Sequence, residues 1–207
     1  MATKQKLPEH ERLRILTEYE RPLWENGVLV GGVDEVGRGP LAGPVMTACV
    51  ILPPNPLIDG VNDSKKLSEK RRNALYEQIM AQAVRVGFGI ADEEIIDAIN
   101  IRQATLLAMR DAVLEATPEY LLIDSEKVDV DIPQMSLVHG DALSYVIGAA
   151  SIVAKVKRDA LMQKLDEEFP QYGFAKNKGY GTKEHIEAIK KYGLCKYHRR
   201  SFTGNFV

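Results

Sequence analysis

Cysteine is almost missing from this 207-residue chain: Cys49 and Cys195 are the only two. Two isolated thiols cannot form a disulfide framework or a cysteine zinc site, and they fit a reducing compartment. No uninterrupted apolar run approaches the roughly 18 residues a membrane span needs. The first 14 residues are charged and lack the apolar core of an export signal, so the expected location is the cytoplasm. Internal repeats, low-complexity tracts and long linkers are absent too. The remaining composition, 45% hydrophobic and 27% charged, is ordinary for a single globular domain of this length.

The net charge of −2 is unevenly spread. Residues 176–207 hold eight basic and two acidic residues, a net +6, which leaves −8 for the rest. Tyr180, His185, Tyr192, Tyr197, His198 and Phe202 are interleaved with those basic residues. Such a segment suits contact with a nucleic-acid backbone plus stacking, although a solvated helical face has the same composition.

The apolar pattern predicts a lead-in helix over 9–25, with Pro22 disturbing its last turn. Strands are expected at 28–34, 45–52, 83–90, 120–123 and 135–138. Ser68 can N-cap a helix reaching about residue 82, and Asp92 or Asn100 can start helices that end at Thr117-Pro118. One long helix is expected from Asp141 to about residue 168, and a last one over 183–191, N-capped by Thr182 and stopped by Gly193. This order describes an α/β fold: a mixed five-stranded sheet flanked by helices, with a helical C-terminal segment. The expected organisation is one domain, with a lead-in at 1–27, a core at 28–170 and a basic segment at 171–207.

Chemistry concentrates at element ends. Asp34 and Glu35 close the first strand, Asp124 closes the fourth, and Asp141 opens the long helix. Sites in α/β sheets form outside strand ends, where distant carboxylates can converge. Several carboxylates stay ionised together only beside cations, and oxygen donors without Cys or His favour Mg²⁺ or Mn²⁺. Neighbours on a strand point to opposite faces, so Asp34 and Glu35 can share ions only if the strand breaks there, as Gly37 and Gly39 suggest. A Gly-Arg-Gly loop next to carboxylates suits a phosphodiester, which needs close backbone approach and positive charge. Asp159, roughly 27 Å along a continuous helix from Asp141, is excluded from such a centre and pairs instead with Lys155. Gly148, Ala149, Ala150 and Ser151 are expected to allow close helix packing and carry no chemistry. Ser64 and Lys65, in a polar loop, are candidate phosphate contacts.

The run Asp34-Glu35-Val36-Gly37-Arg38-Gly39-Pro40-Leu41-Ala42-Gly43-Pro44 resembles the signature of the ribonuclease HII family. So do Asn62-Asp63-Ser64-Lys65-Lys66, Leu122-Ile123-Asp124, Gly140-Asp141-Ala142, the stretch 149–159, Lys178-Gly179-Tyr180-Gly181-Thr182 and His198-Arg199-Arg200-Ser201-Phe202. The resemblance implies a ribonuclease H-like fold in a monomeric endoribonuclease that needs two divalent ions, Mn²⁺ or Mg²⁺. It acts on RNA/DNA hybrids and on duplex DNA containing a ribonucleotide, cutting 5′ to that ribonucleotide to leave a 3′-hydroxyl and a 5′-phosphate. By position, Asp34, Glu35, Asp124 and Asp141 would bind metal. Gly37, Arg38 and Gly39 would sense the 2′-hydroxyl, and Tyr180 would stack on the next sugar. The chain departs from the pattern at Ser125-Glu126, where glycine usually follows the aspartate, and at Leu143, where a basic residue is common. A hybrid-binding module without catalysis, or another metal-dependent phosphatase or nuclease, are the alternatives.

Overall fold

A computed structural model of the chain describes residues 7–206. Its elements are α1 (Glu9–Leu16), α2 (Arg21–Trp24), β1 (Val30–Val36), β2 (Val45–Ile51), α3 (Glu69–Gln82), β3 (Arg85–Ala91), α4 (Glu93–Ile99) and α5 (Ile101–Ala116). They continue with β4 (Tyr120–Asp124), β5 (Gln134–Leu137), α6 (Gly140–Leu143), α7 (Tyr145–Glu168), α8 (Phe174–Asn177), α9 (Lys183–Tyr192) and α10 (Arg200–Thr203).

The sheet order is β3-β2-β1-β4-β5. β1 pairs antiparallel with β2, and β2 with β3, as successive strands with short connections can. β4 joins β1 in parallel, with Val33 opposite Ile123, and β5 follows in parallel. α5 covers one face of the sheet; α7, with α3 beyond it, covers the other. The close approach of α7 depends on Gly32, because a Cβ there would stand 2.1 Å from the Val146 backbone carbon. Four expected caps are present: Ser68, Asp92, Asn100 and Thr182 each accept a backbone N–H in the first turn of the helix that follows.

Two helices differ from expectation. The lead-in is broken: α1 ends at Leu16, and Pro22 lies in the first turn of α2, where its missing N–H costs nothing. The helix expected from Asp141 to residue 168 is also two. Ser144 takes an extended conformation (φ −121°, ψ 134°), and its side chain accepts from Ile147 N as the N-cap of α7. The cause lies 124 residues away. Buried Glu20, between α1 and α2, accepts from Ser144 Oγ at 2.6 Å and from Val146 N at 3.1 Å. A carboxylate that accepts a backbone N–H of the first turn suits a helix N-terminus. The lead-in therefore sets where α7 begins and turns α6, with Asp141, away from the α7 axis. Asp159 binds Lys155 at 2.8 Å as expected, although the helix expected to join it to Asp141 is interrupted at Ser144.

Candidate active site

Parallel pairing puts Asp34 and Asp124 one residue beyond the last register pair of β1 and β4, so both emerge at the same sheet end. Asp124 Oδ1 accepts from Gly140 N at 2.8 Å, which pins the start of α6 beside β4 and brings Asp141 to that end. The turn there needs a left-handed residue. Ser125 fills it with φ 54°, a conformation glycine adopts more freely.

β1 runs on to Val36, with Asp34 opposite Ala48 and Glu35 opposite Thr47, so the strand does not break between the two acids as expected. They leave the strand on opposite sides. Asp34 turns toward α7, where Ser151 hydrogen-bonds to it; Glu35 turns toward Arg38, 3.6 Å away. Asp34 is buried, and burial, then the charges of Glu35 and Asp124, hold its carboxyl well above the usual range. Burial raises Glu35 as well, with Arg38 opposing and Asp124 adding to the rise. Asp141 is raised by burial and by neighbouring Asp63, against the pull of Lys65. Lys65 Nζ lies 3.4 Å from Asp141 Oδ2. Burial works against the Lys65 charge, but Asp141, Asp34 and Asp63 outweigh it and hold the ammonium above its ordinary value.

The four carboxylates thus share one end of the sheet and feel one another's charge. Among the described residues, however, no three His, Cys, Asp or Glu side chains are set to hold an ion as they stand. Several carboxylates at one strand end stay ionised together only beside cations. The donor set is oxygen only, which fits hard divalent ions rather than zinc.

Beside the carboxylates, Gly37 takes φ 95°, and a Cβ there would stand 2.3 Å from Arg158 Nε. Gly39 lies against Tyr180, whose Cε1 would be 3.8 Å from a Cβ at that glycine. Leu41 N donates to Gly179 O at 2.8 Å, which joins the two loops. Tyr180 is half-exposed. Arg38 lies between Glu35 and Glu126, and Glu126 also meets Arg102 at 3.3 Å. Glu126, one of the departures from the family pattern, therefore restrains Arg38. Leu143, the other, is half-exposed and lines a groove with Leu7 and Ile15 of the lead-in.

Several placements were not anticipated. Ser64, expected at substrate, is buried, and its hydroxyl pairs with that of Ser151 at 2.9 Å; it stands behind Asp34. Ser151, expected only to pack, supports Asp34, the most buried of the four site carboxylates. Arg199, His185 and His198, counted toward a basic and ring-bearing surface, are buried. Arg199 donates to the carbonyls of Gly37, Arg38 and Gly43, while Arg158 donates to those of Ala42, Pro44 and Lys178. Each arginine carries a charge inward to satisfy carbonyls of the 37–44 loop, and Arg158 ties Lys178 to that loop as well. No motif spacing announces such a role.

A family model described as ribonuclease HII matches residues 31–205. The chain belongs to the ribonuclease HII family. A ribonuclease HII of Bacillus cereus is 54% identical over 198 residues, spanning 94% of this chain and 77% of that protein. The ribonuclease HII solved in a PCNA complex from Archaeoglobus fulgidus superposes with a TM-score of 0.70 at 26% identity, over 83% of this chain and 94% of that one. Bst ribonuclease HIII, solved in complex with Mn²⁺, shares the fold with a TM-score of 0.61 at 17% identity, over 93% of this chain and 68% of that one. As a ribonuclease HII, the protein is an endoribonuclease, a hydrolase that cleaves RNA in RNA/DNA hybrids. No described helix is long and apolar enough to cross a membrane.

Proposed function

We propose that this ribonuclease HII cuts 5′ to ribonucleotides, including single ones in duplex DNA, leaving a 3′-hydroxyl and a 5′-phosphate. The convergence of Asp34, Glu35, Asp124 and Asp141 beside the Gly37-Arg38-Gly39 loop carries this reading. These carboxylates would hold two divalent ions, Mn²⁺ or Mg²⁺; Asp34 and Glu35 lie in the last three residues of β1 and feel each other's charge, so they would reach the ions around the strand end without the break first expected. Such ions supply Lewis-acid stabilisation of the charge developing on the phosphodiester. The chain's own groups do the remainder. Ser151 and Glu35 N donate to Asp34 and orient it, and Gly140 N does the same for Asp124. Lys65 and Arg38, now engaged with carboxylates, are placed to exchange them for substrate phosphates. The backbone at Gly37 and Gly39 lets main-chain groups approach a 2′-hydroxyl, the group that distinguishes RNA from DNA. Tyr180, against Gly39, would pack on the following deoxyribose, where a further hydroxyl would collide with the ring. No side-chain general base is required.

The exposed lysines of residues 176–207, Lys176, Lys183, Lys190 and Lys191 among them, would track the backbone of the duplex. The enzyme would work as a monomer, in the reducing cytoplasm that the two free cysteines suit. The test compares a duplex carrying one ribonucleotide with its all-deoxy twin, in Mn²⁺ and in chelator. Cleavage 5′ to the ribonucleotide, only with the ion, is expected; equal cutting of both duplexes, or cutting in chelator, would contradict the reading.

A further inference from the structure

The carboxylate site leaves one buried group of titratable side chains unused. His185 on α9 and His198 beyond it place their Nε2 atoms 3.1 Å apart. Both rings are buried, walled by Tyr172 and Phe174. The two ends of the pair fix its protons. Cys195 N, which can only donate, lies 3.0 Å from His198 Nδ1, so that nitrogen accepts. The single proton of a neutral His198 is then on Nε2 and points at His185 Nε2, which must accept. The proton of His185 is therefore on Nδ1, 2.9 Å from the carbonyl oxygen of Tyr180, which can only accept. Every donor meets an acceptor, in one direction, from Cys195 to Tyr180. A charged ring at either position would set a donor against a donor. Burial pushes both imidazoles toward the neutral form, His198 down to about 4.

The relay joins the parts that matter for specificity. His198 is bridged to Ala42 of the loop that follows Arg38, and Arg199 N donates to Leu41 O at 2.9 Å. At the far end, Tyr180 O accepts from Thr182 N as well as from His185. The preceding Lys178 and Gly179 are both left-handed; Tyr180 N donates to Asn177 O at 2.9 Å, and His185 adds a side-chain contact to the Tyr180 carbonyl.

We propose that His185 and His198 are positioning residues for cleavage: a one-way imidazole relay that fixes the Tyr180 peptide and thereby the ring set against the substrate sugar. This rests on the reading of Tyr180 given under Proposed function.

Steady-state cleavage of the single-ribonucleotide duplex tests it with His185→Ala, His185→Asn, Tyr180→Ala and the double alanine variant. His185→Ala should raise KM roughly 3- to 10-fold, the worth of about one hydrogen bond. A misfolded fraction would instead lower kcat and leave KM alone. His185→Asn keeps a donor where Nδ1 stands and should restore most of the loss. The double variant should be no worse than Tyr180→Ala, since the relay acts only through that residue. An unchanged KM in His185→Ala beside an impaired Tyr180→Ala, or losses that multiply in the double variant, would overturn the inference. An unimpaired Tyr180→Ala would instead overturn the substrate reading of Tyr180, and the inference with it. Should His185→Ala fail to fold, His198→Gln, which keeps an N–H where Nε2 stands, should retain near-normal KM; a KM raised as in Tyr180→Ala would overturn the relay. In the unmodified protein, ¹⁵N spectra of labelled histidine should show the proton on Nδ1 of His185 and Nε2 of His198 at neutral pH. The reverse assignment, or a charged ring, overturns the relay directly.

Discussion

Asp34→Asn is expected to abolish cleavage, with kcat down roughly a thousandfold or more, and at the same time to stabilise the ion-free protein. Both effects come from one arrangement. Asp34 is the most strongly perturbed carboxylate of the site, buried and facing the charges of Glu35 and Asp124. An amide of the same shape keeps an acceptor for Glu35 N but carries no charge to an ion. The sign of the stability effect follows from the raised carboxyl. Relative to the unfolded chain, the folded protein binds this proton more tightly, so the contribution is favourable below the ordinary carboxylate range. It is lost as pH rises through the raised titration. At neutral pH burying this carboxyl is a burden that the amide removes. Melts in chelator should therefore put Asp34→Asn above the unmodified protein by a few degrees at pH ~7, about 2–4 °C for each kcal/mol at this size. The difference should vanish near pH ~4. A variant that cuts at a normal rate, or that melts lower at neutral pH, contradicts this account of Asp34.

Arg199→Leu is expected to be the most destabilising single change near the site, while Arg200→Leu, one residue on, should cost almost nothing. The Arg199 side chain is fully buried, and its guanidinium serves three carbonyls, those of Gly37, Arg38 and Gly43. Leucine would leave them buried without donors, at about 1–3 kcal/mol each. The sum, on the order of 3–9 kcal/mol, is a large part of the roughly 5–15 kcal/mol that holds a typical domain together. Burial, then the charge of Arg158, already lowers Arg199 to about 10, so the guanidinium remains charged at neutral pH. Arg199→Lys should recover little, because an ammonium lacks the planar fork that spans these carbonyls. Arg200 exposes its side chain, and Asp97 meets its backbone N–H, so truncation should shift stability by less than about 0.5 kcal/mol. Urea unfolding of the two leucine variants decides it. Equal midpoints would show that Arg199 does not clamp the loop.

This pair of arginines marks the limit of what could be read in advance. In sequence they are indistinguishable, two charges in a basic tail. In the fold one is a buried clamp and the other a surface cation, because distant carbonyls of the Gly37–Pro44 loop select between them. Features with a local signature were legible. The caps at Ser68, Asp92, Asn100 and Thr182 needed only a short polar side chain before a helical pattern. Asp34 and Asp124 came together because each follows an apolar run, and the two runs pair in parallel register up to the residue before them. Features set by a remote partner were not legible. The break at Ser144 depends on Glu20, the place of Ser151 depends on Asp34, and the seclusion of His185 and His198 depends on Tyr172 and Phe174. Nothing adjacent to those residues encodes the partner. The turn at Ser125 is intermediate: its departure from glycine was visible, but the left-handed backbone that makes glycine favourable there was not.

Mn²⁺ anomalous scattering from crystals of the protein tests the central claim most directly. Peaks bounded by Asp34, Glu35, Asp124 and Asp141 are predicted, with the carboxylates drawn inward and the peaks lost in Asp34→Asn. Ions bound elsewhere on the surface, with these four side chains unmoved and uncoordinated, would contradict it.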